Sequence, residues 1–506
     1  MHRLTTLSKV IILIGIIAIV MGITYKLGGF DSTKLNIAQI TTHNPVPSTS
    51  DVIRISLDEW IGWKPIFDAN GGLETKSGSI YDKLGLKVKI SIIDDATQSS
   101  NALVSNSLDG AGYTINRYAF LYSKLIKANT RTKMVYITNY SNGGDGIIAK
   151  KEINSIEQLV DRKIAIPRFS EAQTLVEWLL ARSSLTEEQI KNIRSNMVMF
   201  DNPEDAAKAF FAGKVDASAT WQPFLSQAQD STGSHILFST KMATNIILDG
   251  IVFRESYLNA NPEKIRKFID GALSASSLYK QDMKTIKESM PLFTTETDDT
   301  IKSMTNDASL ATYQNNMELL GSTGMILFKD MSTIWKNLGE EANPENANVV
   351  FDPSYIQYLS SKYINVASKD ESNIKFTPEQ RQQAQSQDNK SALLTERLTI
   401  NYETNASAIK DESYAQLNKF AETAKVLNGV IIQIEGNTDS TGDLNQNIIL
   451  SQKRAKSIAV YLQYQGVDSS RFVIVGNGQN KPIGDNNTDA GRSSNRRTDI
   501  YFKVVK

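Results

Sequence analysis

Between Asp51 and Asn365 the chain alternates β-rich runs with helical patterns, and this alternation narrows the choice of fold more than any other feature. Strands and helices taking turns along a chain layer as α/β, a sheet covered by helices. The strand-like runs are Ile53–Leu57, Val88–Ile93, Met134–Thr138, Lys163–Ile166 and Ile247–Phe253. Helix starts are marked between them. Ser170 with Gln173, and Thr186 with Gln189, have the spacing of capping boxes. Asn202-Pro203 and Asn261-Pro262 put a cap residue ahead of proline at the first helical turn. From Pro262 to Leu338 the pattern is almost wholly helical.

The remaining residues divide around this unit. Val10 to Tyr25 is an uncharged run flanked by Lys9 and Lys26. As a helix it spans about 24 Å against a hydrocarbon core of about 30 Å, and the two lysines can snorkel across the difference. It reads as an uncleaved membrane helix with a cytoplasmic N-terminus; a signal peptide is the alternative, because its apolar region is nearly as long. The run holds no acidic residue. The resulting division is 1–30 anchor, 31–50 linker, 51–365 α/β unit, 366–392 polar spacer and 393–506 C-terminal domain. The spacer is rich in glutamine, and a short helix starting at Thr377-Pro378 has no apolar face to bury.

Composition removes several function classes. Lys plus Arg and Asp plus Glu number 55 each, so no net field recruits nucleic acid. There is no cysteine, which excludes disulfides, thiolate chemistry and zinc ribbons. The sequence lacks HExxH, CxxC, GxSxG and a Walker-type glycine loop. What remains is recognition without covalent chemistry, with neither metal nor cofactor.

The C-terminal domain opens with Arg397 to Tyr402 as an alternating strand. Further on, the β-rich run Val430–Ile434 leads into a turn at Gly436-Asn437. An amphipathic helix follows, from about Asn445 to Gln465. Ile448, Ala455, Ala459 and Leu462 share one face, with Asn447, Ser451 and Arg454 on a polar stripe beside it. Asp439 falls in the strand-to-helix loop. A carboxylate and a guanidinium on one frame can grip a zwitterion, the acid taking an ammonium and the planar fork a carboxylate.

Gly436 to Asp439, Asn447 to Ala455, the turn of Gly466, Val467 and Arg471, and the closing Asn495 to Arg497 together resemble the OmpA-like peptidoglycan-binding domain. The resemblance runs from about Leu393 to Lys506. It implies that Asp439 and Arg454 bind the diaminopimelate of the wall's stem peptide, with Thr438, Asn447 and Arg497 in the same site. Asn437 replaces the family's usual histidine or phenylalanine at the pocket rim. An isolated Asp–Arg surface pair is common and worth little. The number of spaced matches ranks that plainer reading second.

The α/β unit resembles the periplasmic substrate-binding proteins of ABC transporters, in particular the nitrate/sulfonate/taurine group. The residues that carry this are Gly144–Lys150, Ile153–Leu159, Lys163–Pro167, Ala206–Ala217 and Thr220–Phe224. The family fold is two α/β lobes around a ligand cleft, joined by a two-stranded hinge whose second crossing is expected near Leu248 to Phe253. Residues expected at strand ends facing the cleft are Trp60, Trp63, Asn116, Trp221 and Asp249. Ser170 joins them as the cap of a helix N-terminus able to receive an anion. Arg168 is the arginine placed to meet a nitrate or sulfonate, whereas the tryptophans with Asp249 suit a cationic or zwitterionic ligand equally.

Read together, the parts imply a solute receptor or sensor held between inner membrane and wall. Its partners are then peptidoglycan, a small solute and an inner-membrane protein such as an ABC permease. The alternatives are the receptor of an uptake system, or an envelope scaffold whose binding lobes hold no ligand.

Overall fold

The computed structural model describes residues 51–277, 286–288, 290–364, 374–398, 400, 402 and 406–505. The membrane helix expected at Val10–Tyr25 and the linker at 31–50 lie outside the described residues. Among the described residues, no helix is long and apolar enough to cross a membrane.

Two sheets make the larger unit. The first starts with β1 (Val52–Leu57), β2 (Lys87–Ile92), β3 (Gly110–Thr114) and β4 (Thr132–Ser141). The chain then enters a second sheet through β5 (Asp145–Lys150), β6 (Ile164–Pro167), β7 (Met197–Phe200), β8 (Ala217–Trp221) and β9 (Ser234–Ser239). It returns to the first as β10 (Leu248–Arg254) and β11 (Ala308–Leu310). The orders are β11-β4-β10-β3-β1-β2 and β7-β6-β8-β5-β9. Two α/β lobes joined by two crossings result, as the sequence implies.

Local differences from the expected pattern have physical causes. Residues 248–253 are not the hinge: they form β10, antiparallel to β3 and β4 and buried along its whole length. The return crossing is the segment before it, 240–247. An unbroken apolar run is what a strand covered on both faces requires. The helical stretch of 262–338 is interrupted by β11, which adds to β4 beside the crossing, with Ala308 opposite Ser141. Thr186 and Gln189 form a full capping box. Ser170 accepts the Gln173 amide, but the Gln173 side chain takes the N–H of Phe169, not of Ser170.

The C-terminal sheet runs β12 (Leu394–Leu398), β15 (Thr498–Lys503), β13 (Ile431–Asn437), β14 (Phe472–Gly478). β13 is parallel to β14 and antiparallel to β15. Helix Leu444–Tyr464 lies on this sheet so closely that a Cβ at Gly436 would sit 2.1 Å from the Ser451 carbonyl oxygen. That contact turns the Asn447–Ser451–Arg454 stripe inward, and all three residues are buried. The edge strand starts before the expected Arg397, although Leu398 and Ile400 are buried as the alternation requires.

From residue 374 on, the polar spacer is packed. Helix Pro378–Ser386 buries Ala384, which clusters with Phe376, Ile431 and Val473, and the Lys503 ammonium donates to the carbonyls of Ala384 and Gln387. One alanine and the phenylalanine ahead of the helix supply the apolar contact that the helix sequence alone lacks.

The C-terminal segment also touches the hinge region. The Gly429 amide donates to Met242 O at 3.0 Å, and Asn428 exchanges hydrogen bonds with Thr244. Gly429 lies so close that an added Cβ would be 2.1 Å from Lys241 O. On the second lobe, Glu157 accepts the Thr395 amide at 3.3 Å.

Candidate functional site

Between the lobes lies a cavity of about 610 Å³, a volume ordinary for a small-molecule site. Strand ends build its walls. Asp249 on β10 pairs with Thr114 at the end of β3, and both side chains line the cavity. Across from them, Asp145 at the start of β5 pairs directly with Trp221 at the end of β8, so their side chains leave one sheet face together. Thr114 caps helix Ile115–Lys127 by accepting the Arg117 amide, which fixes Arg117 over the cavity. Trp60 is held by its indole N–H, which donates to Asn139 at 2.8 Å.

Charge in this cavity is lopsided. Arg117 donates in bidentate fashion to Glu171 at 2.7 and 3.1 Å and lies 3.6 Å from Asp58. Burial works to lower the Arg117 pKa, and the carboxylates of Glu171 and Asp58 raise it by more. Burial, reinforced by Glu171, pushes Asp145 up to about 7 despite a hydrogen bond from Ser141. Burial and then the charges of Asp58, Asp145 and Glu171 hold Asp249 well above the usual carboxylate range. Asp58 is also raised, by burial first, with Arg117 working against it.

Of the six expected cleft residues, Trp60, Trp221 and Asp249 line the cavity. The other three face inward. Trp63 is fully buried with its indole N–H on Asp58 at 2.6 Å. Asn116 is buried against Thr174 and Met331. Ser170 is spent as a cap, and the helix N-terminus above it is already served by Glu171. Arg168 points to Asp201 at 3.3 Å and is not part of the lining. Asp58, Arg117, Asp145 and Glu171 were not singled out from sequence, although Asp145 sits inside the Gly144–Lys150 motif.

The C-terminal domain carries a second constellation. Asp439 follows β13; its carboxylate accepts the Thr441 amide at 2.9 Å and Arg496 at 2.7 Å. Burial works to raise the Asp439 pKa, but these bonds outweigh it and hold the carboxyl below its usual value. Asn447 ties the loop together by donating to Thr441 O and Gln479, and Thr438 is anchored through its amide to Gly478 O. Arg454 donates from Nε to Ala406 O at 3.0 Å and lies over the Tyr402 ring at 4.6 Å. Its two terminal nitrogens make no hydrogen bond among the described residues. Burial lowers the Arg454 pKa, against the pull of Tyr402, and nearby Arg496 adds to the lowering. Arg497 turns the other way, pairing with Asp499 at 2.9 Å and donating to Lys481 O. The arginine that touches Asp439 is thus Arg496.

The chain thus carries two sites on α/β frames: the walled cleft between the lobes, and a C-terminal domain whose largely buried Arg454 has no hydrogen bond to its terminal nitrogens among the described residues. Residues 60–293 match the NMT1-like family and residues 401–496 match the OmpA family, so the chain joins a segment of each. Outer membrane protein A of Bordetella avium is 35% identical over 121 residues, covering 23% of this chain and 62% of its own. The peptidoglycan-associated lipoprotein of Pseudomonas putida is 32% identical over 102 residues, 20% of this chain and 61% of its own. The chain spans between 31% and 62% of the first relatives it matches. Among solved structures, the alkanesulfonate-binding protein SsuA of Xanthomonas axonopodis, bound to MOPS, covers 60% of this chain and 98% of its own at 15% identity and a TM-score of 0.45.

Proposed function

We propose that this protein is an envelope tether: its C-terminal domain grips peptidoglycan non-covalently, and its two-lobed unit binds a small solute. The observation that carries the reading is the pair of side chains at the C-terminal site, a carboxylate fixed by Arg496 and, within its electrostatic reach, a guanidinium whose terminal nitrogens make no hydrogen bond among the described residues. Asp439 then accepts the ammonium of a diaminopimelate stem residue, and Arg454 takes its carboxylate, with Thr438 and Asn447 holding the loop. The names of the OmpA-type relatives support a wall partner for this segment. The work is binding, with no covalent step.

In this reading Val10–Tyr25 anchors the chain in the inner membrane and the rest stands in the periplasm, within reach of a permease or another membrane protein. A chain lacking residues 393–506 is expected to fractionate with inner membrane and to keep Met1 as its N-terminal residue. Recovery of a soluble periplasmic form processed near Gly22 would replace the anchor with a signal peptide.

A further inference from the structure

The inter-lobe cavity carries information about its ligand that neither family match supplies. Ten of the side chains lining it are carboxylates, and one, Arg117, is a cation. That single positive charge is spent, bonded to Glu171 through two nitrogens and facing Asp58. Asp249 is the informative member of the set. It is 4% exposed, lines the cavity, and has no hydrogen bond or ion pair among the described residues. A buried carboxylate without a partner is costly, and its natural partner is a cation that arrives with the ligand. The aromatic faces of Trp60, Trp221, Phe224 and Phe293 complete the lining, and such faces attract cations through the ring quadrupole.

These observations exclude two alternatives. A sulfonate or nitrate would be desolvated among carboxylates with no unspent guanidinium in the lining to receive it, and three of the helix N-termini at the lining carry acids of their own, Asp95, Glu171 and Glu204. A metal ion is disfavoured as well: among the described residues no group of three or more carboxylate or imidazole side chains is arranged to hold one.

We propose that the cleft takes an organic amine in its protonated form, with an ammonium seated against Asp249 and the alkyl chain between Trp60 and Trp221. This rests on the solute-binding reading of the lobes and adds the ligand's charge to it. The exposed lining carboxylates, Glu59 and Asp94 among them, suit a second positive charge on the same ligand, so spermidine is the first probe and putrescine the second.

The test is calorimetric titration of the full-length protein in detergent with spermidine, putrescine, ethanesulfonate and methanesulfonate at pH 8 and moderate salt. Saturable binding of an amine with no heat from the two sulfonates is the expected result. In Asp249→Asn, a change of charge without a change of shape, the amine's affinity should fall about 30-fold or more. Trp60 and Trp221 fluorescence should respond in the wild type. Binding of a sulfonate alone overturns the cation and leaves the solute reading standing. Amine binding unaffected by Asp249→Asn places it outside the cleft and overturns the proposal. No binding by any probe overturns it and withdraws support from the solute reading too.

Discussion

Arg454→Lys and Asp439→Asn should each weaken binding of a diaminopimelate muropeptide by about 30-fold or more, the usual cost of truncating one member of a desolvated charged pair. Arg454 is committed at Nε to Ala406 O and stacked on Tyr402, which leaves one edge of the planar fork to face a carboxylate. Lysine restores the charge but neither the plane nor the two parallel donors. Asparagine at 439 keeps the shape and the Thr441 contact but loses the charge that faces both Arg496 and the ligand's ammonium. Both residues are 9% exposed, so neither variant is free of a folding cost. Arg454→Lys should lose about 1–2 kcal/mol of stability through the Ala406 hydrogen bond and the ring contact. Equilibrium binding read beside a denaturation curve separates the two effects. Full affinity in both variants would remove these residues from the wall site.

Asp145→Asn should do the opposite to the unliganded protein and stabilise it. The Asp145 carboxyl is raised to about 7 by burial and by Glu171. A raised acid pKa means that the folded state holds its proton more tightly than the unfolded chain does. Its contribution is therefore favourable below the unfolded value, near 4, and is lost as pH climbs through about 7. At 1.36 kcal/mol per pKa unit, the variant should be more stable than wild type by on the order of 2–4 kcal/mol at pH 8. At pH 4 the two should converge. The groups facing Asp145 are Glu171, Asp58, Asp249 and Arg117, and replacing one carboxylate lowers the repulsion on the other three. A binding site that holds like charges together is stabilised by its ligand's charge, so the same substitution should cost amine affinity. Denaturant titrations of both proteins at pH 4 and pH 8 check this; equal stability at pH 8 would show that the acids are already relieved in the empty cleft.

Much of the fold was readable because strands buried on both faces need apolar runs, as at Met134–Ile137 of β4 and Ile251–Phe253 of β10, while β2 alternates and exposes Lys87 and Lys89. The same logic found Trp60, Trp221 and Asp249, each at or just beyond a strand end. It could not say which way a residue faces once helices pack above it. Trp63 has the same local setting as Trp60, yet it turns into the core and gives its N–H to Asp58. Asp58, Arg117, Asp145 and Glu171 come from four separate stretches and converge only when the two lobes meet. No local pattern marks that meeting. Arg496 and Arg497 show the problem at its smallest scale. Neighbours entering a strand point to opposite faces, so one reaches Asp439 and the other Asp499. The packed spacer was missed for a related reason: Ala384 finds its apolar partners on strands of the C-terminal sheet, far from it in sequence.

In the proposed function this chain holds the wall by gripping diaminopimelate. It is tested by sedimentation of the full-length protein in detergent with purified diaminopimelate-type peptidoglycan, titrated with free meso-diaminopimelate. Wild-type protein should pellet with the wall and be released in full as the free diamino acid rises, while Asp439→Asn stays in the supernatant throughout. Protein that remains soluble from the start, or that pellets and cannot be released by diaminopimelate, would contradict it.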